Sequence, residues 1–362
     1  MVENIFRTKE YFYREKIMFI GVCGYGATGS SAIVALLKEY EELNVCDKAE
    51  IQEAFRVDGL QDLEYHLVKQ YSRHISGDAA IKRFKESIKY YKTPIVKKTI
   101  PPKEYMRIAN AYIDSLIQGS WYGIDNIDYT TGHPLYNFIV LLYKKIVFPK
   151  FESITGHSFD HWPARKMYLS IQPEDFYEKT KLYTDALINA VSEQNDKPVV
   201  FDQVFDGNAP ENCFPFFRNP KAIVVDRDPR DLWLVAKYAD RASGEARFMP
   251  RQDVKIYVEY YRRLRMKQKK EDTKDVLFVQ FEDAIYNYDI TVERIEKFLG
   301  CHKHNKIKEY FKPDVSINNT QLFNNPKYSN CIEEIRYIEK MLPEYLFEFE
   351  KYPKLTKFER TF

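Results

Sequence analysis

Residues 17–40 read IMFIGVCGYGATGSSAIVALLKEY. A short apolar run ends in glycines and is followed by an apolar-periodic segment whose Ala32, Ile33, Ala35, Leu36 and Leu37 share one helix face. This spells a buried strand, a glycine loop and a helix, with Ser30 or Ser31 placed to cap the helix. The strand signal returns in KPVVFDQV (residues 197–204), KAIVVDRD (221–228) and DVLFVQFED (275–283). Helical segments DLWLVAKYADR and TVERIEKFLG follow the last two, and Gly300 closes the second. Strands alternating with helices leave few options beyond an α/β fold with a three-layer parallel sheet.

Between residues 59 and 196 the periodicity is mainly helical, with loops expected near residues 119–132 and 149–163. The expected organisation is a single domain over residues 1–362. Its core covers about 16–58 and 197–362, and its helical insertion about 59–196. Five cysteines without CxxC spacing suggest a reducing compartment rather than a disulfide framework. The charged N-terminus does not read as a signal peptide, and no apolar run reaches the length of a membrane span. A cytoplasmic chain without a transmembrane segment is expected. A net charge of +2 gives no sign of a nucleic-acid partner, so any anion site must be local.

GYGATGSS (residues 24–31) nearly matches G-x-x-x-x-G-K-[ST], the phosphate loop of P-loop NTPase-like sheets, but Ser30 stands where that pattern has lysine. Gly26 and Gly29 permit unusual backbone angles, and amides from Ala27, Thr28, Gly29, Ser30 and Ser31 can converge on an anion at a helix N-terminus. A plain strand–helix turn is the blander alternative. The second element is AIVVDRDPRDLW. Its Arg227 follows an apolar strand, at the edge where open α/β sheets bind ligands. A guanidinium there suits a phosphate. Pairing with Asp226, Asp228 or Asp231 is the competing reading. Pro229 suits the first turn of the next helix.

These segments resemble the P-loop sulfotransferases. ATGSS (residues 27–31) stands in place of that family's [KR]-[ST]-G-[ST]-[ST] loop. RDPRD (227–231) resembles its 3′-phosphate motif, and FEDA…FLG (281–300) its late strand–helix segment, all in the family's order. The resemblance implies 3′-phosphoadenosine-5′-phosphosulfate (PAPS) as donor, 3′,5′-adenosine bisphosphate (PAP) as product and no metal. Gly26, Ala27, Thr28, Gly29, Ser30, Ser31 and Arg227 would hold the donor. Two positions depart from the pattern. Ala27 replaces the loop's usual cation, whose work would fall to Lys97, Lys98 or the amides, and Val235 replaces a serine that faces the 3′-phosphate. A nucleotide kinase or NTPase of the same fold, or an inactive sulfotransferase-like binding protein, are the alternatives.

Sulfuryl transfer to a hydroxyl needs positioning, charge stabilisation and a base. The resemblance places a glutamate base in NVCDKAEIQEAFRVDG (residues 44–59), where Glu53 fits best and Glu50 is the reserve. Arg56 and Asp58 would tune it or bind acceptor. Asp202 and Gln203, at the end of a central strand, are candidates for substrate binding or for a structural hydrogen-bonding pair. A carbohydrate acceptor is expected by analogy with the family, with Trp121 and Trp162 available to stack on sugars or to pack in the core. His157, His161 and the cluster at 301–304 lack a complete metal set. YRRLRMKQKK (261–270) reads as a solvated helix end, and NNTQLF (318–323) as a polar segment able to fold over the donor.

Overall fold

The computed structural model describes residues 18–358, apart from 91–99, 124–133, 157–164, 193–195, 239–247, 269–270, 303 and 306. Its centre is a five-stranded sheet. β1 (Phe19–Gly24), β2 (Asn44–Glu50), β5 (Val199–Asp202), β6 (Pro220–Asp226) and β7 (Val276–Gln280) lie in the order β2-β5-β1-β6-β7. Every neighbouring pair is parallel. A parallel sheet must be covered on both faces, and the strand residues divide accordingly.

On one face Ile20, Val22, Val200, Ile223, Val225 and Leu277 meet α1 (Ser30–Leu37) and a later helix, Tyr288–Leu299. On the other, Phe19, Phe201, Ala222, Val224 and Val276 share a core with Phe84, Tyr112 and Tyr183. Those three aromatics belong to α2 (Arg73–Tyr90), α3 (Pro102–Leu116) and α6 (Phe176–Val191), so the helical stretch between β2 and β5 supplies the third layer. The fold is α/β with a three-layer parallel sheet, as the strand spacing implied.

Between α3 and α6 lie α4 (Pro134–Leu142) and α5 (Phe148–Thr155), joined by a π turn at Tyr143–Val147. Two expectations change there. Residues 119–123 form a strand, β3 (Gly119–Gly123), antiparallel to β4 (Arg165–Leu169). Pro149 does not end a helix, because it stands in the first turn of α5, where a missing amide costs nothing. A third cluster joins α7 (Pro229–Tyr238), α8 (Val254–Leu264) and α10 (Ile332–Met341), α9 being the helix Tyr288–Leu299.

The connection leaving β1 runs toward β2, and the one leaving β6 runs toward β7. The two neighbouring strands β1 and β6 therefore send their chains in opposite directions, which opens a crevice at their carboxyl ends. Gly24 pairs in register with Val225 across that edge, so the glycine loop and Arg227 emerge side by side.

Candidate functional site

The loop after β1 turns through three left-handed residues, Gly26 (φ 83°), Ala27 (φ 56°) and Gly29 (φ 98°). A Cβ at Gly29 would stand 2.4 Å from the Phe281 ring, and one at Gly26 would stand 2.2 Å from the exposed Phe248 ring. Thr28 is buried and its Oγ1 accepts from the Tyr25 amide at 3.2 Å, which braces the turn from inside. The expected serine cap is absent. Gly29 caps α1 without a side chain, because Ser30 Oγ accepts instead from Gln203 Nε2 at 2.8 Å. Among the described residues, no acceptor meets the amides of Ala27, Thr28, Gly29, Ser30 or Ser31. A run of unspent amides at a helix N-terminus can cradle an anion.

Arg227 faces this cradle. Its Nη1 donates to the Ala27 carbonyl at 3.3 Å and its Nη2 to the Asn319 carbonyl, while its guanidinium lies over the Phe281 ring. It is 6% exposed, and its Nε is buried without a partner. The competing reading, a local cluster with neighbouring aspartates, does not hold, since each of those carboxylates is engaged elsewhere. Asp226 takes two bonds from Arg265, at 2.8 and 2.6 Å. Asp228 takes two from the Arg230 side chain, at 3.0 and 2.8 Å. Asp231 accepts the amides of Gln321 and Leu322, at 2.8 and 2.7 Å. Among the described residues Arg227 therefore has carbonyl partners but no carboxylate within ion-pair distance, although the buried Asp231 and Glu282 lie near enough to feel its charge.

Distant elements hold this arrangement. Tyr257 and Tyr261 on α8 donate to the carbonyls of Pro229 and Arg227, at 2.8 and 2.9 Å. The basic stretch at 261–270 is thus not simply a solvated helix end. Tyr261 and Arg265 are buried beneath the site, whereas Arg263 is exposed and pairs with Glu259. Asp231 fixes the turn at Gln321 (φ 50°), which presents the Asn319 carbonyl to Arg227. Burial and the neighbouring Asp228 hold the Asp231 carboxyl well above its usual range. Val235 packs in the third core cluster, where it can donate nothing.

On the opposite side of the loop lie Asp202 and Gln203. Gln203 takes a left-handed turn (φ 53°) and its amide donates to the Val22 carbonyl at 2.7 Å. Asp202 Oδ1 is buried without a partner. Desolvation by burial pushes this carboxyl up to about 6, reinforced by Glu50 and opposed by a hydrogen bond from Ser30. Glu50 is the last residue of β2 and pairs in register with Asp202.

Glu53 is committed elsewhere. It is 1% exposed, accepts from Arg56 Nε and Nη2 at 3.1 and 2.9 Å, and receives the Tyr105 hydroxyl on its other oxygen. Arg56 also donates to Ser87 Oγ at 2.9 Å and to the carbonyls of Val57 and Asp58, while Asp58 accepts from Arg83 at 2.8 Å. Glu53, Arg56 and Asp58 thus brace the start of the insertion, and the loop's partner at the sheet edge is Asp202 with Gln203. Trp121 is partly exposed on β3. Trp162, Lys97, Lys98, His157 and His161 lie outside the described residues. His304 is taken up by Tyr288, whose hydroxyl is 3.0 Å from its Nε2.

Phe281, Asn319 and Arg265 escaped the sequence reading as members of the site. Asn319 lay in a segment read as polar and able to fold over the donor, without being singled out, and Arg265 in a run whose charge suggested exposure. A separate cleft of about 420 Å³ lies beside β7, lined by Gln280, Asp283, Arg294, Tyr345, Phe347 and Tyr352, away from the loop and Arg227.

No family model matches the chain, and no curated protein matches it. Among solved structures, the chain is similar to a sulfotransferase domain from the olefin synthase of Synechococcus PCC 7002. The identity is 12%, over 78% of this chain and 73% of that one, with a TM-score of 0.35. It is similar to a sulfotransferase domain from the curacin biosynthetic pathway at 12% identity, over 91% and 99% of the two chains, with a TM-score of 0.36. For the sulfotransferase STF9 from Mycobacterium avium the values are 10%, 98%, 84% and 0.36.

Proposed function

We propose that the chain is a sulfotransferase that uses PAPS as donor and a carbohydrate hydroxyl as acceptor. The observation that carries this reading is Arg227, a buried guanidinium with no carboxylate partner among the described residues and an unspent Nε, set beside a loop of unspent amides. A donor with two separate phosphate groups needs two such anion sites. The amides of residues 27–31 and the N-terminus of α1 would hold the 5′ end, and Arg227 would hold the 3′-phosphate. The donor supplies the sulfuryl group: its bond to the phosphate oxygen breaks as one to the acceptor oxygen forms, and PAP leaves. With Ala27 in place of a loop cation, charge stabilisation rests on oriented amides.

The acceptor hydroxyl must lose a proton. Asp202 has a buried, unpartnered oxygen for it, beside Ser30 at the loop. Glu53, the residue suggested by the resemblance, would first have to release Tyr105 or Arg56. Asp202 is therefore our first candidate for base. Paired variants decide between them: Asp202→Asn is expected to lower kcat by about 10²–10⁴-fold. Glu53→Gln should act mainly on stability, and a reversed pattern returns the role to Glu53. A triphosphate site lacks support, because Ser30 occupies the lysine position of the loop pattern.

Thermal stabilisation tests the donor site. PAP should raise the melting temperature and ATP with Mg²⁺ should not, a ligand at about 100 times its Kd contributing about 2.7 kcal/mol. Arg227→Ala should remove the effect. Preference for ATP sinks the proposal, and PAP binding without transfer to any of a panel of glycans rejects the carbohydrate acceptor.

A further inference from the structure

The helical segment 134–155 does not look like part of a solvated surface. Leu135, Phe138, Ile139, Leu142 and Ile146, spaced by three and four residues, are all exposed, by 40 to 62%. Only Val140 is buried in α4, and no residue is buried in the π turn or α5. The exposed surface continues past Tyr136, which stacks under Arg165 with 4.5 Å from guanidinium to ring centre, to Trp121, which shares the ribbon face of Arg165. An apolar face this continuous is not left to water without a partner.

The charges beside it point to the partner's chemistry. Lys144, Lys145 and Lys150 are exposed along the segment against one acid, Glu152. The whole chain is almost neutral, at +2, so this basic edge is local. An apolar stripe with lysines beside it and with Trp and Tyr at its border matches a helix lying in a lipid interface, where lysine stems cover apolar surface and ammonium groups meet headgroup phosphates. A second copy of the chain is the competing occupant of this face, and vesicle flotation with the variants below separates it from a bilayer. Among the described residues no helix is long and apolar enough to cross a membrane, which suits lying on a bilayer rather than spanning it.

We infer that the face formed by residues 134–155, with Trp121 at its border, docks on an anionic phospholipid bilayer. The inference is independent of the proposed chemistry at Arg227.

Vesicle flotation tests it. The full chain should bind vesicles of equal parts phosphatidylcholine and phosphatidylglycerol about a hundredfold more tightly than phosphatidylcholine alone, at roughly fivefold per lysine. The preference should shrink in high salt. Phe138→Ser with Leu142→Ser should abolish binding to both vesicles and leave the melting temperature unchanged. Lys145→Glu with Lys150→Glu should remove the preference for phosphatidylglycerol. No binding to either vesicle overturns the inference, as does binding that survives both pairs of substitutions. It is also overturned if the wild type is a dimer that Phe138→Ser with Leu142→Ser dissociates while neither protein floats with vesicles, which assigns the face to self-association.

Discussion

Asp202 and Ala27 are the two residues near the loop whose chemistry runs against their surroundings. The Asp202 carboxyl is pushed up to about 6, chiefly by burial. Between about pH 4 and 6 the folded chain keeps a proton that the unfolded chain has released. Stability therefore falls as pH rises through that window, and the full cost, about 3 kcal/mol at most, is present above it. Asp202→Asn is predicted to melt higher than wild type at pH 8 and no higher at pH 4; equal melting at pH 8 would show that the carboxylate is compensated. Ala27 adopts φ 56°, a conformation costly for any residue with a Cβ. Ala27→Gly should add up to about 1 kcal/mol of stability in urea unfolding, the relief of strain outweighing the added freedom of the unfolded chain. The sequence announced this loop through its glycines but gave no sign that an alanine shares their conformation. A positive φ at a non-glycine position is imposed by the turn around it.

The element that makes the site is the junction of β6, α7 and α8. DRDPRD contains two arginines and three aspartates within six residues, so short-range electrostatics alone permits several pairings. Arg265 resolves the choice by neutralising Asp226 from α8's end, which leaves Arg227 without a carboxylate in ion-pair contact. Arg265→Met should cost about 3–5 kcal/mol, because it strands a buried carboxylate. It should also weaken PAP binding as Asp226 turns toward Arg227. Exposed Arg263→Met, which removes only a surface pair, should change stability by less than about 1 kcal/mol and leave PAP binding intact. Equal effects of the two, measured by chemical denaturation and PAP titration, would remove Arg265 from the site. At the loop, Gly29→Ala meets both a left-handed φ and the Phe281 ring, and should abolish PAP binding ahead of any loss of fold.

At the scale of the whole molecule, the insertion is a layer of the domain and not an appendage. Phe84, Tyr112 and Tyr183 close the sheet face that carries Phe19 and Phe201. All five cysteines are buried thiols, Cys23, Cys46 and Cys213 within this packing, and burial raises those of Cys23 and Cys213. An aromatic disulfide reagent should label none of them in the native chain and all five in denaturant. Rapid labelling of the native chain would contradict the packing. The sequence by itself determined the strand–loop–helix unit, the late strands and the position of Arg227 at a strand end. Those features depend on local apolar runs and on backbone permissions that glycine and proline carry with them. The tertiary structure alone decided which arginine lacks a carboxylate partner and which carboxylates keep an unpartnered oxygen. Glu53 is closed by Tyr105, 52 positions away, and Asp226 by Arg265, 39 positions away, while Asp202 keeps a buried, unpartnered oxygen beside the loop. Burial and charge pairing depend on neighbours in space, and a linear pattern of residue types does not carry them.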